Sequence, residues 1–252
     1  MIKIVSVSLI ALMVQPVFVV LSGSAEPLPA PKPLASSDKL NEEKTSLPSP
    51  KPKLKKNPKP EATAATDPAV CVLDETEFTS IPAIRGEHSG DAGCGIESPV
   101  RLSNVTWNEK SVQFKGAVTV SCEFAEVYTT WLRQDVMPLA EKHFEGGLET
   151  VRSGPGYQCR RRNNQPGGKL SEHALGKAVD ISHLQMRNGT TVSIEEDWGR
   201  KTKPGRFLEA LHKSACKRFT TVLSPEGDEF HKSHLHLDIG CHGKTCTYLI
   251  CQ

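Results

Sequence analysis

Eight cysteines in a chain of 252 residues are the feature that most constrains its folding. This even number exceeds what a reduced cytosolic enzyme usually carries and suits disulfides made in an oxidising compartment. The start of the chain agrees. Residues 1–25 hold one cation, Lys3, then an apolar run broken by Ser6, Ser8, Gln15 and Pro16, and close on Ser22, Gly23, Ser24 and Ala25. That is the layout of a secretory signal peptide cut after Ala25. A retained anchor would need about 20 unbroken apolar residues, and no cysteine follows the run to accept a lipid. The expectation is a periplasmic or secreted protein with no stable membrane span after cleavage.

Residues 26–68 contain ten of the 18 prolines and no aromatic residue, so they cannot build a core. Such a segment behaves as an extended, semi-rigid linker. Its lysines around 51–56 are either solvated or in contact with an anionic wall polymer or membrane surface. Charge names no partner: 31 Lys plus Arg against 29 Asp plus Glu leave +2. That balance argues against nucleic-acid binding, which needs a basic excess on one face.

The remaining stretch, 69–252, is long enough for one core. Apolar spacing predicts a long helix over 122–144, bent near Pro138, and a second from Pro204 towards Cys216. Strands are expected at 111–120, 148–153, 177–183, 218–224 and 233–240. Helices mixed with an antiparallel sheet define an α+β domain.

Two segments carry chemistry. In Ser171-Glu172-His173-Ala174-Leu175-Gly176-Lys177-Ala178-Val179-Asp180, a turn at Gly176 leads into a strand. Alternation there puts Ala178, Asp180 and Ser182 on one face, where His173 arrives from the preceding loop. In His231-Lys232-Ser233-His234-Leu235-His236-Leu237-Asp238, the two leucines alternate with His234, His236 and Asp238, which share the other face. Together the segments offer nitrogen and oxygen donors suited to zinc, which needs three protein ligands and an open position to be catalytic. Asp238 either accepts a hydrogen bond from the far nitrogen of a ligand imidazole or forms a surface salt bridge.

Ser-x-His-x-x-Gly-x-Ala-x-Asp followed by His-x-His resembles the hallmark of the zinc peptidase group that includes D-alanyl-D-alanine carboxypeptidases, lysostaphin-type endopeptidases and the hedgehog signalling domain. More closely, Cys94-Gly95-Ile96, Tyr157-Gln158-Cys159-Arg160, both motifs and Leu223-Ser224-Pro225 resemble the bacterial extensin-like C-terminal domain family. The resemblance covers about 71–240. It implies a small antiparallel sheet carrying a zinc site and flanked by helices, with His173, Asp180 and His236 as ligands. It also implies His234 beside the reacting water and Arg160 orienting a substrate carbonyl or carboxylate, with Arg161 and Arg162 adjacent. Relatives specialised for dipeptides carry a glutamate three residues before the last ligand, where this chain has Ser233. The base therefore lies among His234, His231 and a carboxylate of Glu226, Asp228 or Glu229.

Compartment, donor set and resemblance together imply an exported zinc peptidase acting on peptidoglycan peptide stems or crosslinks next to a D-amino acid. The alternatives are a non-catalytic wall-binding scaffold with a vestigial zinc site and a zinc amidase acting on another periplasmic substrate. His88, His143, His183, His212 and His242 have no partner at metal spacing. Cys241, Cys246 and Cys251 imitate a metal cluster, but disulfides fit the compartment better. Trp131 belongs to the core; Trp107 and Trp198 are either core or sugar-stacking platforms.

Overall fold

The computed structural model describes residues 71–86 and 93–252. The expected leader, the proline-rich spacer and His88 lie outside them. Eleven strands and four α-helices follow in chain order among the described residues. Thr76–Ser80 (β1), Ile84–Arg85 (β2), Gly95–Ile96 (β3), Pro99–Trp107 (β4) and Lys110–Ser121 (β5) precede the helices Cys122–Trp131 (α1) and Met137–His143 (α2). Leu148–Ser153 (β6), Ala178–Met186 (β7), Thr191–Ser193 (β8), Ile194–Asp197 (α3) and Lys203–Ala215 (α4) come next. The chain closes on Thr221–Leu223 (β9), Leu235–Asp238 (β10) and Ile250–Cys251 (β11).

Nine strands form one sheet in the order β1-β4-β5-β6-β7-β10-β9-β11, with β8 also paired to β7. The β5–β6 and β9–β11 pairs are parallel and the others antiparallel. The fold is thus mixed α and β, but the sheet is large where a small one was expected. The difference lies in β1, β4, β8 and β11. In β4 a bulge between Leu102 and Asn104 shifts the register, so buried Val100, Leu102 and Val105 break the two-residue period that marks a strand in sequence.

The expected long helix is interrupted by a π-helical turn at Leu132–Val136, where the Met137 amide donates to the Leu132 carbonyl. Pro138 has no N–H to offer the carbonyl of Gln134, and the widened turn just before it is a local answer to that loss. The Ser121 side chain caps α1 by accepting from the Phe124 amide, and Thr202 does the same for α4 through Gly205. Phe207, Leu208, Leu211 and Ala215 of α4 are buried together, and the Trp131 indole donates to Ser214 Oγ at 2.9 Å, tying α1 to α4.

Val179, Ile181, Leu235 and Leu237 join this core and are fully buried. Burying each contributes roughly 1.5–3 kcal/mol, which fixes which faces of β7 and β10 look inward. Their polar neighbours are committed to the opposite face by the two-residue period.

Four disulfides, Cys71–Cys122, Cys94–Cys159, Cys216–Cys251 and Cys241–Cys246, consume all eight cysteines. They fit a protein that matures in an oxidising compartment. Cys94–Cys159 pins the chain immediately before Arg160, and Cys216–Cys251 staples β11 to the end of α4. No helix among the described residues is long and apolar enough to cross a membrane.

Candidate metal centre

The first motif folds as a 3₁₀ turn, Glu172–Leu175, capped by Ser171, whose hydroxyl accepts from the His173 amide. Gly176 ends the turn at φ 65°, and a Cβ there would meet Ile96 Cδ1 at 2.3 Å, so only glycine fits. The next residues enter β7. Antiparallel pairing with β10 then sets Asp180 opposite His236 and Ala178 opposite Asp238.

His173 Nε2, His236 Nδ1 and the Asp180 carboxylate converge. His236 Nδ1 is 2.9 Å from Asp180 Oδ1, His173 Nε2 is 3.2 Å from His236 Nδ1, and His173 Nε2 is 3.3 Å from Asp180 Oδ2. Tetrahedral zinc ligands at about 2.0–2.1 Å from the metal stand about 3.3–3.4 Å from each other. The observed separations approach that spacing.

Outer partners orient these donors. His173 Nδ1–H donates to the Gly156 carbonyl at 2.7 Å, leaving the Nε2 lone pair inward. Gly156 has φ 77°, and a Cβ there would strike the Thr119 carbonyl oxygen at 2.4 Å. His236 Nε2 faces Asp238 Oδ2 at 3.1 Å, so a proton on that nitrogen leaves Nδ1 available as a donor. Asp238 in turn accepts from the Gly240 amide at 2.8 Å. Histidine ligands backed by a carboxylate and a carbonyl are the arrangement that metal sites use to fix ring and tautomer.

Burial disfavours ionisation of Asp180, yet hydrogen bonds from His173 and His236 outweigh it and hold the carboxyl well below its ordinary range. Burial also opposes charge on His236, but Asp180 and Asp238 raise it to about 9. With a proton on both nitrogens, His236 is the cation that half-buried Asp180 and buried Asp238 require; a metal ion at Nδ1 supplies the same positive charge. The donor set therefore fits a divalent cation of zinc's type.

The other expected site residues gather at the same cleft. His234 Nε2 lies 3.6 Å from Asp180 Oδ1, and burial pushes its pKa down. His231 is buried and its Nδ1–H donates to Asp228 Oδ1 at 2.7 Å, with its ring centroid 5.2 Å from that of His234. Burial works against the charge on Asp228, but the His231 hydrogen bond prevails and lowers its pKa. Arg160 lines the cleft and donates to Gln158 Oε1 and the Arg161 carbonyl, neither of them a carboxylate. Arg162 lines it too but is bound to Glu172 at 3.2 Å. Of the candidate carboxylates, Asp228 is at the cleft, whereas Glu226 lines a different cavity.

His242 belongs here as well, against the expectation of an isolated histidine. Its Nε2 is 2.5 Å from Thr221 Oγ1 and 3.9 Å from Asp238 Oδ1. No spacing rule signals it, because β10 ends at Asp238, before the strand period reaches it. His212 lies 3.8 Å from both Cys216 and Cys251 sulfurs, but the disulfide removes the two thiolates that a metal would need.

The chain belongs to the family described as Extensin-like protein C-terminus, which it matches over residues 70–252. The match takes in every residue of the cleft. No curated protein matches it, and no solved structure does.

Proposed function

We propose that this is an exported zinc-dependent peptidoglycan peptidase, cleaving peptide stems or crosslinks next to a D-amino acid. One observation carries the reading: two imidazole nitrogens and a carboxylate meet within 3.3 Å of one another, beside three further histidines and two arginines lining one cleft. The resemblance of both motifs to the D-alanyl-D-alanine peptidase, lysostaphin and hedgehog group supports it, as do the leader layout and the disulfides.

His173, Asp180 and His236 would hold the metal. When bound, zinc supplies a Lewis acid for the scissile carbonyl and lowers the pKa of water towards 7. His234, kept neutral by burial, takes the proton from the attacking water at one of its ring nitrogens. His231, oriented through Nδ1 by Asp228 and lining the same cleft, relays that proton to the leaving amine. Arg160, at the rim, binds a substrate carboxylate or carbonyl and sets the register of the peptide. The bond cleaved is the amide; one water is consumed and an amine and a carboxylate are released.

A specific observation favours a second reading, a wall-binding scaffold. Ser233, at the position where dipeptide-specialised relatives carry a glutamate, is exposed and among the described residues reaches only His234 Nδ1, at 3.4 Å. Muropeptides incubated with the purified chain, with and without chelator, separate the two by mass spectrometry. Cleavage products lost on chelation support the peptidase; intact muropeptides that remain bound support the scaffold.

A further inference from the structure

A second cavity, of about 610 Å³, opens beside the loop that joins α3 to α4, and is lined by Trp198, Arg200, Lys201, Arg206, Leu208 and Glu226. Trp198 is half-buried against the core, with its ring edge-on to His212 at 5.4 Å. The loop packs closely on the start of α4: a Cβ at Gly205 would meet the Arg200 carbonyl oxygen at 1.9 Å, and Arg206 donates to the Lys201 carbonyl at 2.9 Å. Neither contact uses the charges of Arg200 or Lys201, which are exposed and have no ion pair among the described residues.

An indole in the wall beside unpaired cations suits a ligand with both an apolar ring face and negative charge. A pyranose has such a face in its axial C–H bonds, and a guanidinium or ammonium recognises a carboxylate on it. Glu226 can accept from hydroxyl or acetamido N–H groups. The position of the cavity adds a second argument. The turn after β9 separates it from the metal centre, with Leu223 and Asp228 lining the metal cleft and Glu226 lining this cavity. A polymer crossing that turn reaches both.

We infer that the Trp198 cavity binds the sugar backbone of an acidic glycan strand. This rests on the cell-wall reading for the identity of the polymer and makes the cavity the subsite that holds the strand while a side chain of the polymer enters the metal cleft.

Calorimetric titration of the full chain tests it with three probes: peptide-free peptidoglycan strands with free lactyl carboxylates, a neutral chito-oligosaccharide of equal length, and polyglutamate. The acidic glycan is expected to bind roughly tenfold or more tightly than either other probe. Added salt should weaken it, because the cations are exposed. Trp198→Ala should abolish binding. Lys201→Glu, at an exposed position outside any element, should keep the melting temperature and lower affinity by about tenfold or more. Absence of binding by the acidic strand, equal binding of polyglutamate, or full affinity in folded Lys201→Glu overturns the inference. Peptide-free strands contain no bond for a peptidase, so failure here is distinct from failure to cleave muropeptides.

Discussion

His236 stands directly opposite Asp180 across the antiparallel β10–β7 pair, with Nδ1 2.9 Å from Asp180 Oδ1. This contact fixes the geometry of the site, because β7 and β10 cannot slip by one residue without turning Val179, Ile181, Leu235 and Leu237 away from the core. The proposed ligand set is thereby coupled to core packing.

Substitution should separate metal binding from turnover. His236→Ala removes a donor and should lose metal and hydrolysis together. His234→Ala leaves the three donors in place and should keep stoichiometric zinc while lowering turnover by about 10²–10⁴-fold, the scale for losing a positioned proton-transfer group. Metal content and muropeptide cleavage, measured on the same samples, check both.

In the proposed site, protons and metal would compete for His236 Nδ1. Without metal its pKa is raised from 6.5 to about 9, so zinc affinity should climb as pH rises towards that value, by up to about tenfold per unit. Stability of the metal-free chain follows the same linkage. The His236 contribution is fully present below the unfolded value of 6.5 and lost as pH rises through about 9. The Asp180 contribution is present above 3.8 and lost as pH falls through its depressed folded value. Thermal melts should therefore show an alkaline loss in the metal-free chain that zinc abolishes.

Asp238→Asn tests the outer partner. It replaces the charge 3.1 Å from His236 Nε2 while keeping a side chain able to accept from the Gly240 amide. Zinc affinity should fall by about 10–100-fold, read by competition with a chelating dye, with the fold retained.

The staple at the end of the chain is worth measuring by itself. Replacing Cys216 and Cys251 together with serine removes a link spanning 35 residues. Chain entropy predicts a loss of about 3–4 kcal/mol, seen as a lower denaturant midpoint. Denatured, unreduced wild-type protein should show no free thiol.

Much of the site was legible because the two strands that carry it keep strict alternation. Leu235 and Leu237 against His234, His236 and Asp238, and Val179 and Ile181 against Asp180, announce which side chains share a face. The helix from Lys203 was equally plain from its proline in the first turn and its apolar face. What hid was non-local or irregular. The β4 strand lost its period to a bulge; β1 and β11 earn their place only through pairing partners 20 or more residues away. Gly156, which orients His173 through a carbonyl, offers no side chain to read. His242 and the pairings Cys216–Cys251 and Cys241–Cys246 depend on how the chain returns after Gly240, which no spacing within the sequence encodes.

Anomalous diffraction at the zinc edge from crystals grown with zinc tests the central claim most directly. One strong peak is expected in the β7–β10 cleft, about 2.0–2.2 Å from His173 Nε2, an Asp180 oxygen and His236 Nδ1. A peak ligated by His234 in place of His236, or no peak in that cleft at saturating zinc, would contradict it.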